Sequence, residues 1–167
     1  AVYVQDITGY DKTTINTINT TFSANWDLGF ITKGLSVNGK MAYDVVSNFR
    51  KNWKTPWTCY DYDQVKEEYI EKKSHATTPS LYESQGHSTT LTLNANINYD
   101  RDFDGHHVSA LAGFEQSAYR YDGFNSKITA FDSDILDEFF AGSADKNTYS
   151  IGGSASETAR RSFFGRL

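Results

Sequence analysis

The sequence predicts an all-β chain of antiparallel strands, and two observations carry that prediction: long runs in which apolar and polar residues alternate, and a composition rich in aromatics. Aromatic residues make up 15% of the 167 residues, leucine and isoleucine are sparse, and Thr, Ser and Asn fill much of the rest. That profile favours strands over helices. The polar members of the alternating runs are chiefly Asn, Thr and Ser, not the Lys and Glu of a soluble outer face. A wetted interior fits such a face, so the class expected is an antiparallel transmembrane β-barrel segment.

The elements follow in order. Ile18, Thr20, Phe22, Ala24, Trp26 and Leu28 alternate with Asn19, Thr21, Ser23, Asn25 and Asp27, a period of two over eleven positions that reads as a strand with one apolar face. Phe30–Gly34 is a short connection. Leu35, Val37, Gly39, Met41, Tyr43 and Val45 then form the return strand of a hairpin. A second pair repeats the plan, with Leu91, Leu93, Ala95, Ile97 and Tyr99 on one side, a turn over Asp100–His106, and then Val108, Ala110, Ala112 and Phe114. Runs of about 9–11 residues suffice for a tilted strand to cross an outer membrane. Tyr43 and Tyr99 sit towards strand ends, where barrels place interfacial aromatics.

Between the hairpins, Cys59–Asp63 and Glu67–Lys72 are expected to pair around a turn near Asp63–Lys66, and Ser74–Ser88 reads as loop. After the fourth long strand comes an excursion over Tyr121–Thr158, in which Ser133–Phe140 suggests one or two helical turns and Gly152 with Gly153 ends regular structure. Ala159–Leu167 returns to alternation as the start of a fifth strand. Short turns at one end and long loops at the other match the asymmetry of outer-membrane barrels. The loops, approximately 47–88 and 121–158, are therefore expected outside the cell. Four strands and part of a fifth would leave unpaired edges in lipid, so 1–167 is expected to be part of a larger barrel domain.

Net charge is −5 with no basic cluster, which argues against nucleic acid as a partner. Mean hydropathy of −0.57 is compatible with a barrel, whose strands are apolar on one face only. No run reaches the roughly 18 apolar residues of a spanning helix. Cys59 is the single cysteine and has no partner for an internal disulfide. The adjacent His106 and His107 lack a third ligand at useful spacing. No carboxylate pair, nucleophile elbow or phosphate loop is recognisable, so neither enzymatic activity nor a cofactor or metal is expected.

Several stretches resemble the SusC/RagA family of TonB-dependent outer-membrane transporters: Asp27–Lys40 (DLGFITKGLSVNGK), Asn98–Gln116 (NYDRDFDGHHVSALAGFEQ) and Phe131–Leu167, with SDILDEFF and SIGGSASETARRSFFGRL. The resemblance implies a barrel of about twenty-two strands with a plugged lumen. It also implies import of glycan or peptide fragments, energy from TonB, and a SusD-type surface lipoprotein over the mouth. The plug and the TonB-interacting part are expected outside this chain.

On this reading Phe22, Ala24, Trp26, Leu28, Val37, Met41, Leu91, Leu93, Ile97, Val108, Ala110 and Phe114 face outer-membrane lipid. Asn25, Asn94, Asn96 and Glu115 face the lumen. Trp53, Trp57, Tyr60, Tyr62, Phe139 and Phe140 are the candidates for contact with substrate or lid, since sugar faces pack on aromatic planes. Loop or lid packing is weighted above direct stacking for the tryptophans and Tyr60 and Tyr62, and anchoring of the short helix above lining the mouth for Phe139, Phe140 and Tyr149. A secreted, carbohydrate-binding β-sandwich uses the same alternation and is the competing expectation. A passive porin or adhesin ranks behind both.

Overall fold

The computed structural model describes residues 8–75 and 78–167, with the side chains of 73–75 left aside. The fold is all-β with an antiparallel sheet. Five long strands, β1 (Gly9–Asp27), β2 (Leu35–Lys54), β5 (Ser80–Phe103), β6 (His106–Ile128) and β7 (Tyr149–Arg166), form one sheet in the order β1-β2-β5-β6-β7. The two-stranded hairpin β3 (Trp57–Asp63) and β4 (Glu68–His75) is inserted between β2 and β5.

The long strands run from 18 to 24 residues, further than the apolar alternation foretells. β1 begins at Gly9, not Ile18, and β5 at Ser80, inside the stretch expected as loop. β6 continues to Ile128 and β7 starts at Tyr149, so Gly152 and Gly153 lie within a strand. The reason is physical: in these stretches both faces are largely polar, so no hydrophobic period betrays them, while backbone pairing alone extends the ladder. At Gly153 a Cβ would lie 3.1 Å from the Gly123 carbonyl oxygen, a close approach of two backbones that explains a glycine in mid-strand. The helical turns expected at Ser133–Phe140 reduce to a single 3₁₀ turn at Phe139–Ala141. Ahead of it Ser133 Oγ accepts from the Ile135 amide at 3.2 Å, a local bond that competes with helix.

Two tight connections are built as turn chemistry requires. Asp104 and Gly105 both take positive φ, 22° and 91°, the left-handed pair that favours Asp-Gly in a two-residue hairpin turn. Leu28, expected within the first strand, instead opens the other connection, where its amide donates to the Leu35 carbonyl at 2.9 Å. In the β3–β4 hairpin, Asp63 Oδ1 accepts from the amides of Val65 (2.8 Å) and Lys66 (3.2 Å), closing the turn where the sequence places it.

The described residues divide into two compact units. The first comprises the described parts of Ala1–Ile15, Asn48–Gly86 and Gly123–Gly153; the second comprises Asn16–Ser47, His87–Asp122 and Ser154–Leu167. The first unit holds a small core of Trp53, Leu81, Ile128 and Phe131, with Tyr10, Phe139 and Ala141 packed against it. Trp53 meets Phe131 edge-on at 4.8 Å, a favourable aromatic geometry.

The second unit contributes none of these buried hydrophobics. Its strands carry large apolar side chains into the open: Phe22 is 65% exposed, Trp26 58% and Ile97 52%. Leu93 is half-buried and Val108 exposed. On the apolar face neighbouring strands approach each other: a Cβ at Gly39 would sit 4.0 Å from the Trp26 ring, and Phe114 lies 5.2 Å from Phe163.

The opposite face is polar. Asn96 donates to Asn94 Oδ1 at 2.8 Å, Arg160 meets Glu115 at 3.5 Å, and the Asn19 amide nitrogen, turned to donate, reaches Asp44 at 3.2 Å. Phe164, like Leu111, interrupts that face, and it lies directly over Gly113, where an added Cβ would overlap the ring and stand 2.6 Å from Asn96 Oδ1. Gly113→Ala is accordingly expected to displace Phe164 and to cost about 1–3 kcal/mol. Chemical unfolding of the double variant with Phe164→Ala should recover most of that loss, as a shared contact requires.

Candidate functional site

The aromatics expected to meet a ligand or lid separate into different places. Trp53, at 5% exposure, is the centre of the small core, so its ring faces are already covered. Trp57 opens β3 and is half-buried. Tyr60 and Tyr62 point outwards from β3, at 59% and 52% exposure. Phe139 packs against the core, whereas Phe140 stands 83% exposed.

A third tyrosine joins the two on β3. The register pairs Tyr62 with Tyr69 and Tyr60 with Glu71, and residues opposite each other share a face. Tyr62 and Tyr69 lie 5.1 Å apart with rings tilted by 57°, and Tyr69 is 72% exposed. The result is a face of Tyr60, Tyr62, Tyr69 and Glu71, while Asp61 and Lys72 pair on the other side of the hairpin. Such a face can stack flat apolar surfaces and accept or donate hydrogen bonds at its rim. Tyr69 escapes a reading of the sequence because Val65–Ile70 does not alternate cleanly; the signal is the hairpin register itself.

The excursion between β6 and β7 is folded and fastened. Phe131 bridges to Gly142, the Ser143 amide donates to the Ala130 carbonyl at 3.0 Å, and the Tyr149 hydroxyl donates to the Ser143 carbonyl. Lys51 supplies the electrostatic pin. Its ammonium meets Glu138 at 2.9 Å, Asp137 at 3.4 Å and Glu83 at 3.6 Å, with the lysine side chain only 16% exposed. Tyr10 donates its hydroxyl to Asp137.

These contacts set the protonation states. Burial opposes the Lys51 charge, but the bond to Glu138 and the nearby Tyr10 side chain and Asp137 and Glu138 carboxylates outweigh it and raise its pKa. The Tyr10 hydrogen bond, helped by Lys51, holds Asp137 below the usual carboxylate value. Burial, then the bond to Asp137, pushes Tyr10 up. By linkage, the Asp137 contribution is present above the ordinary carboxylate value and is lost as pH falls through its depressed one. The Tyr10 contribution is present below the ordinary phenol value and is lost as pH rises through its raised one. Lys51→Met is expected to weaken the 129–148 excursion by about 1–2 kcal/mol, a partly solvated pair being worth less than a buried one. Faster amide exchange in that excursion, with the second unit unchanged, is the readout.

Beside the pin, Tyr10, Lys12, Thr14, Phe49 and Lys51 line a cleft of about 690 Å³. On the neighbouring β1–β2 surface Arg50 holds Asp11 through Nε at 2.8 Å and lies 5.9 Å from the Tyr82 ring. Among the described residues no group of three or more His, Cys, Asp and Glu side chains is placed to hold a metal. His107 is engaged instead with Asp102 (2.9 Å) and Asp100 (3.6 Å). Of the lumen candidates, Asn94, Asn96 and Glu115 lie together on the polar face of the second unit. No family model matches the chain, and no curated protein matches it.

Proposed function

We propose that the chain forms part of the wall and outer loops of a TonB-dependent outer-membrane transporter of the SusC/RagA type, importing glycan or peptide fragments with a SusD-type lipoprotein. The observation that supports this most is the second unit. Its strand stretches exceed the roughly 9–11 residues a membrane crossing needs, and they hold Phe22, Trp26 and Ile97 exposed opposite an Asn-lined face. In water, so many large apolar side chains left exposed on one face are costly; against hydrocarbon they are favourable, and the polar side then lines the lumen. A two-layered sandwich would bury those residues between sheets, and the buried hydrophobics of the described residues lie elsewhere.

In this reading the tyrosine face and the pinned excursion stand outside, where substrate and lid meet the transporter. Spin labels test the orientation. In a cysteine-free background of the full-length protein in bilayers, labels replacing Met41 or Ile97 should be relaxed by dissolved oxygen, and a label replacing Asn94 by an aqueous nickel chelate. The reverse pattern, or chelate access at all three, would sink the membrane assignment. Uptake should stop when TonB is removed; uptake that continues would favour a passive porin.

A further inference from the structure

We infer that the apolar face of the second unit carries a seat for one phospholipid with an anionic headgroup, near the Asp104–Gly105 turn. The inference rests on the membrane reading above and adds a specific ligand to it. An open groove of about 480 Å³ crosses β5, β6 and β7, with Ile97, Tyr99, Ala110, Ala112, Gly165 and Leu167 along it. Its middle is low because alanine and glycine form it, and its sides are raised by Ile97, Tyr99 and Leu167. A flexible methylene chain fits such a channel, gaining contact along its length as apolar surfaces meet.

What identifies the occupant is the cation at the end. Alternation along β5 places Arg101 and Phe103 on the face of Ile97 and Tyr99, and the Arg101 guanidinium lies 4.7 Å from the centre of the Phe103 ring. A guanidinium stacked on a ring keeps its N–H edge available. Among the described residues no carboxylate forms an ion pair with it. Its neighbours Asp100 and Asp102 are turned to His107. An uncompensated cation therefore stands one alternation step, about 7 Å, beyond a tyrosine at the mouth of an apolar groove. A phosphate satisfies the guanidinium in fork geometry while its acyl chain fills the groove. An apolar segment of another protein, or a second copy of this face, would cover the groove and leave Arg101 unpaired.

The test uses the full-length protein in mild detergent, with phosphatidylglycerol or phosphatidylcholine added and retained lipid counted by native mass spectrometry. Wild type should keep one phosphatidylglycerol in preference to phosphatidylcholine. Arg101→Gln should weaken phosphatidylglycerol retention about fivefold, the effect of one basic residue at a lipid surface. Ala112→Phe, which fills the floor and keeps the cation, should lessen retention of both lipids. Equal retention by all three proteins, or no preference between the lipids in wild type, would overturn the seat. The Met41 spin label separates the two levels: oxygen access with unchanged retention removes the lipid seat alone, whereas chelate access at Met41 removes the membrane reading and the seat together.

Discussion

Replacing Trp53 with alanine is expected to destabilise the first unit by about 3–5 kcal/mol, the range for deleting a large buried aromatic. The indole is 5% exposed, touches Phe131 edge-on at 4.8 Å, and shares its cluster with Leu81 and Ile128. Without it Phe131 loses its main aromatic contact, and with Phe131 goes the bridge to Gly142 that closes the base of the excursion. Proteolysis within 129–148 should therefore accelerate, alongside a lowered unfolding midpoint. Tyr60→Ala and Tyr62→Ala, at positions more than half exposed, should leave both readouts within about 0.5 kcal/mol of wild type while lowering surface binding of substrate or lid. If Trp53→Ala weakened binding with no loss of stability, the indole would be a ligand contact and not a core residue.

The second large effect concerns the second unit. Leu93→Arg is expected to cost about 2–4 kcal/mol if the residue lies near the bilayer midplane, because a guanidinium there must leave water or distort the lipid. Leu93 sits in β5 between Leu91 and Ala95 on the face of Ile97. Assembly should fail or slow, seen as loss of the folded, heat-modifiable band from membranes. Asn94→Arg, one position along and on the other face, should assemble normally, since a lumen accepts charge. Were both variants to assemble equally, the face assigned to lipid would be wrong. Detergent-free expression offers a coarser separation: a soluble, monomeric, cooperatively unfolding product would favour the secreted sandwich.

Alternation made the apolar halves of the strands legible. Phe22, Trp26, Met41, Ile97 and Phe114 announce a period of two, and the structure keeps them on strands with one apolar face. The halves around Tyr10–Thr17 and Ser80–Ser88 are silent because only single residues there, Tyr10 and Leu81, reach the small core, and a hydrophobic period needs a repeat before it registers. Proximity in sequence sets Trp53 beside Trp57, Tyr60 and Tyr62, although it lies in the core. Its true signal is parity: it continues the odd-numbered positions of β2 after Met41, Tyr43 and Val45. Lys51 with Glu83, Asp137 and Glu138 was invisible for another reason. Those residues lie up to 87 positions apart, and no local rule brings them together. The Tyr62–Tyr69 pair needed a register before it could be seen.

The Asp104–Gly105 turn has a consequence for how the sheet comes into being. Closing a loop of two residues demands little chain entropy, and hairpins of this kind form in about 1–10 μs. β5 and β6 can thus zip together before any distant segment arrives, offering a ready edge on either side: one for β2, whose own approach must span the inserted hairpin, and one for β7, which must await the excursion. The short Leu28–Gly34 connection lets β1 and β2 pair early as well, so growth from two hairpins, joined across the inserted β3–β4 segment and extended by β7 after the excursion, is the order this geometry favours.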